Sequence, residues 1–372
     1  MSVTRSHSLS IGIVGLPNSG KSTIFNALTK SSVPAENYPF CTIDKNIGVV
    51  KIPDQNLERL AKIMKSEKII PSAMTFVDIA GLVKGASKGE GLGNQFLGHI
   101  RETNAIMYML RAFKSENVAH VYDNVNPVDD LKILRSELII KDIETVENRL
   151  DELKSKMKGG HEAEFESEVE TLQKVMKCLD SEVPAILADL TEDERIFLKE
   201  LWLLTDKPAF YVLNIKAGMN EPDINVWLKD LNSELHVTEQ DFVISVDCRT
   251  EADLNDMGEK ERKDLVQMIN EYKGVDDLVE TAYKRLDLVT FYTANKVDAH
   301  AWTIKRGANI KEAAGLIHTD LEQNFVSSEV INIAELMKAN GWLGAKEKGL
   351  MKIESKDYYV KNGDCVIILA TH

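Results

Sequence analysis

Gly15-Leu16-Pro17-Asn18-Ser19-Gly20-Lys21-Ser22 is the stretch on which the fold of this 372-residue chain turns. It satisfies the pattern G-x-x-x-x-G-K-[ST] in full, between an apolar strand, Leu9 to Val14, and a helix continuing from Thr23 to Thr29. In that strand–loop–helix setting the backbone N–H groups of the loop and of the helix N-terminus face one concavity, where phosphate charge is favourable. The pattern therefore predicts a nucleoside triphosphate site with Asn18, Ser19, Gly20, Lys21, Ser22 and Thr23 facing the phosphates. Lys21 is expected to reach the β- and γ-phosphates, and Ser22 to hold Mg²⁺.

Such a site needs a carboxylate for Mg²⁺ at the end of a neighbouring strand. Thr75-Phe76-Val77-Asp78-Ile79-Ala80-Gly81 supplies one: Asp78 follows an apolar run, and Gly81 lets the backbone approach a γ-phosphate, as in D-x-x-G switches. Between the two motifs, Thr42 in Pro39-Phe40-Cys41-Thr42-Ile43 is the candidate hydroxyl that closes on Mg²⁺ when the γ-phosphate is present. Lys21, Thr42 and Gly81 are thus the expected catalytic set, and Ser22, Thr42 and Asp78 the expected metal set. Downstream, Gly85, Gly89, Gly91 and Gly93, with Lys84 and Lys88, read as a loop whose order follows the nucleotide.

Strand-like runs at Ala73 to Ala80, Ala105 to Phe113, Pro208 to Asn214 and Phe242 to Asp247 are short and apolar, as in parallel sheets buried on both faces. They predict an α/β fold with a mostly parallel sheet flanked by helices. Into it is inserted a helical hairpin. Leu131, Leu134, Leu138, Ile139, Ile143, Val146, Leu150, Leu153 and Met157 recur at helical spacing, Gly159-Gly160 interrupts, and Phe165, Val169, Leu172, Val175, Met176 and Leu179 resume it. The reading is a P-loop domain over 8–287, interrupted by an antiparallel coiled-coil insertion over 128–205. From 288 to 371, Val289 to Tyr292, Ala301 to Ile304, Asp357 to Val360 and Cys365 to Leu369 read as short strands of a small α+β domain with its own core.

The net charge is −14, which argues against a surface that tracks nucleic-acid phosphates throughout, and DNA is not expected as a partner. The acidity is uneven. Lys and Arg number 11 against 20 Asp and Glu between Pro127 and Thr205, but 10 against 10 from Leu288 onward. The C-terminal segment is thus the one least repelled by RNA. Trp302, Tyr292 and Lys305-Arg306 there could stack on and pair with RNA, against the alternative of a protein-docking domain. No apolar run approaches the roughly 18 residues of a membrane span. The first ten residues are short and polar for a signal peptide, and a cytoplasmic protein is expected. Cys41, Cys178, Cys248 and Cys365 lie far apart, as for reduced thiols.

Gly15 to Ser22, Asn37-Tyr38-Pro39-Phe40-Cys41-Thr42-Ile43-Asp44, the run Asp78 to Gly93, and Arg101-Glu102-Thr103 together resemble the Obg-like ATPase (YchF) subfamily of translation-factor-class P-loop proteins. Ala301-Trp302-Thr303-Ile304, Ala313 to Glu322 and Asn362-Gly363-Asp364 resemble its C-terminal, ubiquitin-like TGS domain, so the similarity spans essentially the whole chain. The resemblance implies a GTPase-like fold that prefers ATP, hydrolyses it slowly with Mg²⁺, and associates with ribosomes, ribosomal RNA or stress-response partners. It also implies that Asn214, the Ile215 backbone, Phe113 and Ser245 surround the adenine. Asn18 resembles the Asn that holds K⁺ in some P-loop enzymes with a hydrophobic residue after the D-x-x-G glycine.

Three positions depart from familiar patterns. Asn214-Ile215-Lys216-Ala217 lacks the acidic residue of Asn-Lys-x-Asp, which accepts from guanine, and losing that pair of hydrogen bonds removes discrimination for GTP. Leu82 stands where many switches have a water-positioning Gln, and a hydrophobic side chain cannot orient water. Tyr108 stands where family members often carry a His, leaving His99 as the nearest imidazole. Three readings follow: a slow Mg²⁺-dependent ATPase switch, an Obg-class GTPase with a degenerate base motif, or a nucleotide-gated RNA- or ribosome-binding module with incidental turnover.

Overall fold

The computed structural model describes residues 9–30, 46–79, 92–114, 125–158, 162–219, 221–234, 242–268 and 273–371. In chain order, β1 (Ser10–Val14) runs into the phosphate loop and α1 (Lys21–Lys30). Then come β2 (Ile47–Lys51), α2 (Gln55–Met64), β3 (Lys68–Ile70), β4 (Ala73–Asp78), α3 (Leu92–Glu102) and β5 (Ala105–Arg111). The expected runs at Ala73, Ala105, Pro208 and Phe242 all form strands, each shortened by one or two residues in all. The later two are β6 (Ala209–Asn214) and β7 (Val243–Val246).

The first sheet has the order β2-β4-β1-β5-β6-β7, parallel except for β2, which runs antiparallel to β4. All seven residues of β5 are buried, which is why its sequence reads as an uninterrupted apolar run up to Arg111. One face packs Ile11, Ile13, Met107 and Phe210 against Ile24 and Leu28 of α1. The other packs Val14, Tyr108 and Leu110 against Leu131, Leu134 and Leu138 of the insertion.

That insertion leaves after β5 and returns to β6, its direct neighbour in the sheet, so it interrupts one domain rather than joining two. Its arms are α4 (Pro127–Met157) and α5 (Glu162–Asp180), with Gly159-Gly160 outside the described residues. Asn126 caps α4 by accepting from the Val128 and Asp129 amides, with Pro127 in the first turn. At 1.5 Å per residue the longer arm spans about 46 Å. Val146, Leu150 and Leu153 interlock with Leu172, Val175 and Leu179. The root is closed by α6 (Glu192–Lys199), where Arg195 donates to the Ala185, Ile186 and Ala188 carbonyls and pairs with Asp206 at 3.1 Å. Buried Asp142 fixes the returning chain, accepting from the Leu204 and Thr205 amides at 2.7 Å each and from the Thr205 hydroxyl at 2.6 Å. Burial still pushes its carboxyl up to about 6.

Four helices complete the first body: α7 (Glu221–Glu234), α8 (Cys248–Leu254), α9 (Glu259–Met268) and α10 (Val275–Arg285). The remaining chain forms β8 (Leu288–Ala294), β9 (Asp298–Lys305), α11 (Ile310–Ile317), α12 (Thr319–Gln323) and β10 (Phe325–Asn332), followed by α13 (Ile333–Lys338), α14 (Trp342–Glu347), β11 (Lys352–Glu354) and β12 (Asp364–Ala370).

The second sheet has the order β11-β10-β12-β8-β9-β3, so β3, from the first seventy residues, forms its edge parallel to β9. One face builds a core with α11 from Val289, Phe291, Ile304, Ile310 and Val366. The other face takes Leu57, Leu60 and Ala61 of α2 into the cluster of Tyr292, Ala301, Leu336 and Cys365, which corrects the expectation of a self-contained core. The strand expected at Asp357 to Val360 does not form. Only Tyr359 makes a bridge, to Asn309, because the Tyr358 carbonyl and the Val360 amide pair with the loop entering α11.

Candidate functional site

The phosphate loop hangs between β1 and α1, and two glycines allow its course. A Cβ at Gly15 would lie 2.5 Å from the Met109 carbonyl, and one at Gly20, where φ is +105°, would lie 2.2 Å from the Asn214 amide nitrogen. Asn18 also takes a left-handed backbone, at φ 62°. The Asn214 amide donates to the Ser19 carbonyl at 2.9 Å, so the end of β6 braces the loop. The Ser19 hydroxyl is buried without a partner.

Lys21 is buried, and its ammonium donates to the Gly15 and Leu16 carbonyls at 3.0 and 2.9 Å. Burial pulls its pKa down, partly offset by Asp78. Ser22 donates to one Asp78 oxygen at 3.2 Å, while the other Asp78 oxygen is buried with no partner. Burial raises the Asp78 carboxyl, against the Ser22 hydrogen bond and the Lys21 charge. A hydroxyl and a carboxylate are hard oxygen donors, and the orphaned Asp78 oxygen marks an unfilled coordinating position. The pair fits Mg²⁺, which takes one or two protein oxygens and completes its shell with phosphates and water. Ser22, Asp78 and Lys21 are therefore brought together as the sequence predicts. Thr42, Gly81 and Leu82 lie outside the described residues.

At the C-terminal ends of β5 and β6 lies a cleft of about 520 Å³ lined by Phe113, Lys216, Met219, Asp223 and Trp227, among others. No residue of the phosphate loop lines it, but it opens at the same C-terminal edge of the parallel strands from which that loop leaves, where such sheets bind ligands. Phe113 is in it, with the Arg111 guanidinium 4.8 Å from its ring centre. Asn214 and Ile215 are not among its lining residues. The Asn214 side chain is engaged by Ser19 and the Cys248 amide, and the Ile215 amide donates to the Val246 carbonyl at 3.0 Å. Ser245 pairs with Leu213 inside the sheet, away from the lining. Of these, Lys216 belongs to the base motif read from the sequence, whereas Met219, Asp223 and Trp227 carry no motif signal because they are spread over a turn and the start of α7 with no fixed spacing.

One further expectation, an RNA-stacking role for Tyr292, is corrected. Tyr292 is buried and its hydroxyl donates to Asp54 at 2.7 Å, so it cannot stack on RNA. Trp302 stacks on His300 at 3.6 Å and donates to the Thr293 hydroxyl at 3.0 Å, while Arg306 pairs with Asp287. Tyr108 is buried and stacked on Tyr211 at 5.4 Å, and burial pushes its hydroxyl pKa far up, so it cannot act as a base. His99 is on the exposed side of α3.

Two family models match this chain: one described as 50S ribosome-binding GTPase, over residues 10–158, and the YchF-GTPase C-terminal model, described as a protein of unknown function, over 288–371. The chain is 41% identical to the Ribosome-binding ATPase YchF of Bacillus subtilis over 360 residues, covering 96% of this chain and 98% of the relative. It is 42% identical to the Ribosome-binding ATPase YchF of Escherichia coli O157:H7 over 359 residues, with the same coverage. The solved structure of the Schizosaccharomyces pombe YchF GTPase superposes with a TM-score of 0.83 at 32% identity, over 97% of this chain and 98% of that one.

Proposed function

The chain belongs to the YchF family of P-loop nucleoside triphosphatases, and on that premise we propose that it is a slow, Mg²⁺-dependent ATPase switch that works on the ribosome. The observation that carries the chemistry is the triangle of Lys21, Ser22 and Asp78, with an orphaned carboxylate oxygen beside a buried ammonium. In this reading Lys21 leaves the Gly15 and Leu16 carbonyls for the β- and γ-phosphates, as its donors are already aligned along the loop. Ser22 and Asp78 would hold Mg²⁺, which would supply neutralising charge to the bound triphosphate. Thr42 and the Gly81 backbone close on the γ-phosphate, and Asn18 holds K⁺. Phe113 and the cleft take the adenine, with Asn214 acting as a brace for the loop.

ATP over GTP follows from Ala217, which leaves the guanine edge without its usual carboxylate partner. The rival GTP reading draws on Asp223, a carboxylate that does line the cleft, but it is exposed and in competition with water. The relatives' names supply the ribosome as partner. Among the described residues no helix is long and apolar enough to cross a membrane, and a cytoplasmic location fits that partner. We divide the chain into the nucleotide domain at 8–287, its insertion at 128–205 and a TGS domain at 288–371. The deciding experiment is titration of nucleotide-free protein with non-hydrolysable ATP and GTP analogues in Mg²⁺, in K⁺ and then Na⁺ buffer. Tighter ATP binding supports the reading. Preference for GTP that is lost in Asp223→Ala overturns it, and equal affinity in the two buffers removes K⁺.

A further inference from the structure

Arg111 ends β5 with 1% of its surface exposed, the largest side chain so fully buried among the described residues. After Ala105 to Leu110, packing alone would be served by another apolar residue, and a buried guanidinium is costly unless its charge and donors are answered. Asp130, itself 3% exposed in the first turn of α4, offsets part of the cost of burial. The Arg111 Nε–H donates to the Phe113 carbonyl at 3.0 Å, and the guanidinium carbon lies 4.8 Å from the centre of the Phe113 ring, within the range of a cation–π contact. Arg111 thus grips both the backbone and the ring of the residue two positions on.

Phe113 lies at the ligand-binding edge of the sheet. It lines the cleft of about 520 Å³ together with Trp227, and Arg111 is paired in register with Asn214, which braces the phosphate loop. Phe113 follows the end of β5 and is half-buried, and a ring free to turn must be ordered before anything can stack on it, at a cost to affinity. We propose that Arg111 is a positioning residue for the base: it holds the Phe113 ring as a platform on which a purine stacks, so that the site favours purine over pyrimidine nucleotides. Stacking strengthens with the contact area of the rings, and a purine offers two rings to a pyrimidine's one. This inference rests on the reading above that the cleft takes the base.

The test is titration of nucleotide-free, full-length protein in Mg²⁺ with non-hydrolysable analogues of ATP and CTP, which carry the same ribose and phosphates. The variants are Phe113→Ala, Arg111→Met, and the pair Arg111→Met with Asp130→Asn, which removes both charges together and leaves no uncompensated carboxylate. The wild type should bind the ATP analogue about tenfold or more tightly than the CTP analogue. Phe113→Ala should bring that ratio to about one, and Arg111→Met and the pair should each lower it about threefold or more, chiefly by weakening the ATP analogue. A purely structural tie between β5 and α4 would weaken both analogues alike. An unchanged ratio in Arg111→Met, or in the pair where the single variant does not fold, therefore overturns the proposal while a ratio lost in Phe113→Ala keeps the base in the cleft. A wild-type ratio of about one, or an unchanged ratio in Phe113→Ala, places the base elsewhere and removes the cleft reading and this inference with it.

Discussion

The Asn214 amide nitrogen donates to the Ser19 carbonyl at 2.9 Å, while its oxygen accepts from the Cys248 amide at 3.4 Å. One buried side chain therefore joins the phosphate loop to the ends of β6 and α8. The expected consequence is that Asn214→Ala weakens ATP and GTP binding alike, by about tenfold, because leaving buried partners unpaired costs about 1–3 kcal/mol. Titration with both nucleotides distinguishes this from direct base contact, which would change their ratio.

Gly20 sits under the same brace. With φ at +105° and Asn214 only 2.2 Å from the place of a Cβ, Gly20→Ala must displace the amide as well as strain the loop. Loss of nucleotide affinity at least as large as in Asn214→Ala is expected. The double variant should lose less than the sum, since both act on one contact. Additive losses in a double-variant cycle would show that the two positions are independent.

Lys21→Ala and Asp78→Ala should each reduce ATP turnover by about 100-fold or more, the order found for removing one preorganised charge partner from a transition state. Far-UV circular dichroism should stay unchanged, because neither side chain holds two elements of the core together. Asp78→Ala should further abolish the gain in nucleotide affinity on adding Mg²⁺. Retained Mg²⁺ dependence would mean that the metal is held elsewhere.

A pH effect is expected at Glu251, on α8, which packs against α1. Its carboxylate is fully buried, neither oxygen has a hydrogen-bonding partner of ordinary geometry, and burial, only partly offset by Arg262 and the Val275 amide, pushes it up to about 7. An unfolded Glu titrates near about 4.3. Between those values the folded chain holds a proton that the unfolded chain lacks, so this contribution is whole below about 4.3 and is lost as pH rises through about 7. Glu251→Gln, a mimic of the protonated form, should match the wild type at low pH and exceed it by up to about 3 kcal/mol at pH 8. Thermal unfolding of nucleotide-free protein at pH 4.5 and 8 checks this. A difference that does not change with pH would refute it.

Sequence legibility followed the range of the interactions. The loop at 15–22 and Asp78 could be read because phosphate binding imposes its residue types on a few consecutive positions, and β5 and β6 because burial on both faces leaves an apolar run. The hairpin was legible from its period. What escaped notice depends on distant partners: Asn214 meets Ser19 from far along the chain, and β3 is three residues long and gains its identity only by pairing with β9. Tyr292 looked like a stacking platform because an aromatic on a strand reads alike whether it faces solvent or α2. Asp357 to Val360 had the β propensity of a strand without a neighbour in register to make it one.

The joint between α2 and the second sheet leads to a last prediction. Leu57, Leu60 and Ala61 fill the sheet face that holds Tyr292, Ala301 and Cys365, and the Tyr292 hydroxyl is held by Asp54, the residue that caps α2. The same α2 is joined through β2 to the segment that carries Thr42, so the residues that follow it are built into the C-terminal sheet. Leu60→Ala should cost about 2–5 kcal/mol, as for a buried leucine whose cavity cannot fully collapse. Because several cores are present, one unfolding midpoint is a poor readout, and amide exchange resolved by segment is better. Protection should fall in β8, β9 and β12 while it holds in β1, β5 and β6. Uniform loss across both sheets would show that the two unfold as one unit, and unchanged protection in β9 would show that α2 is not part of that core.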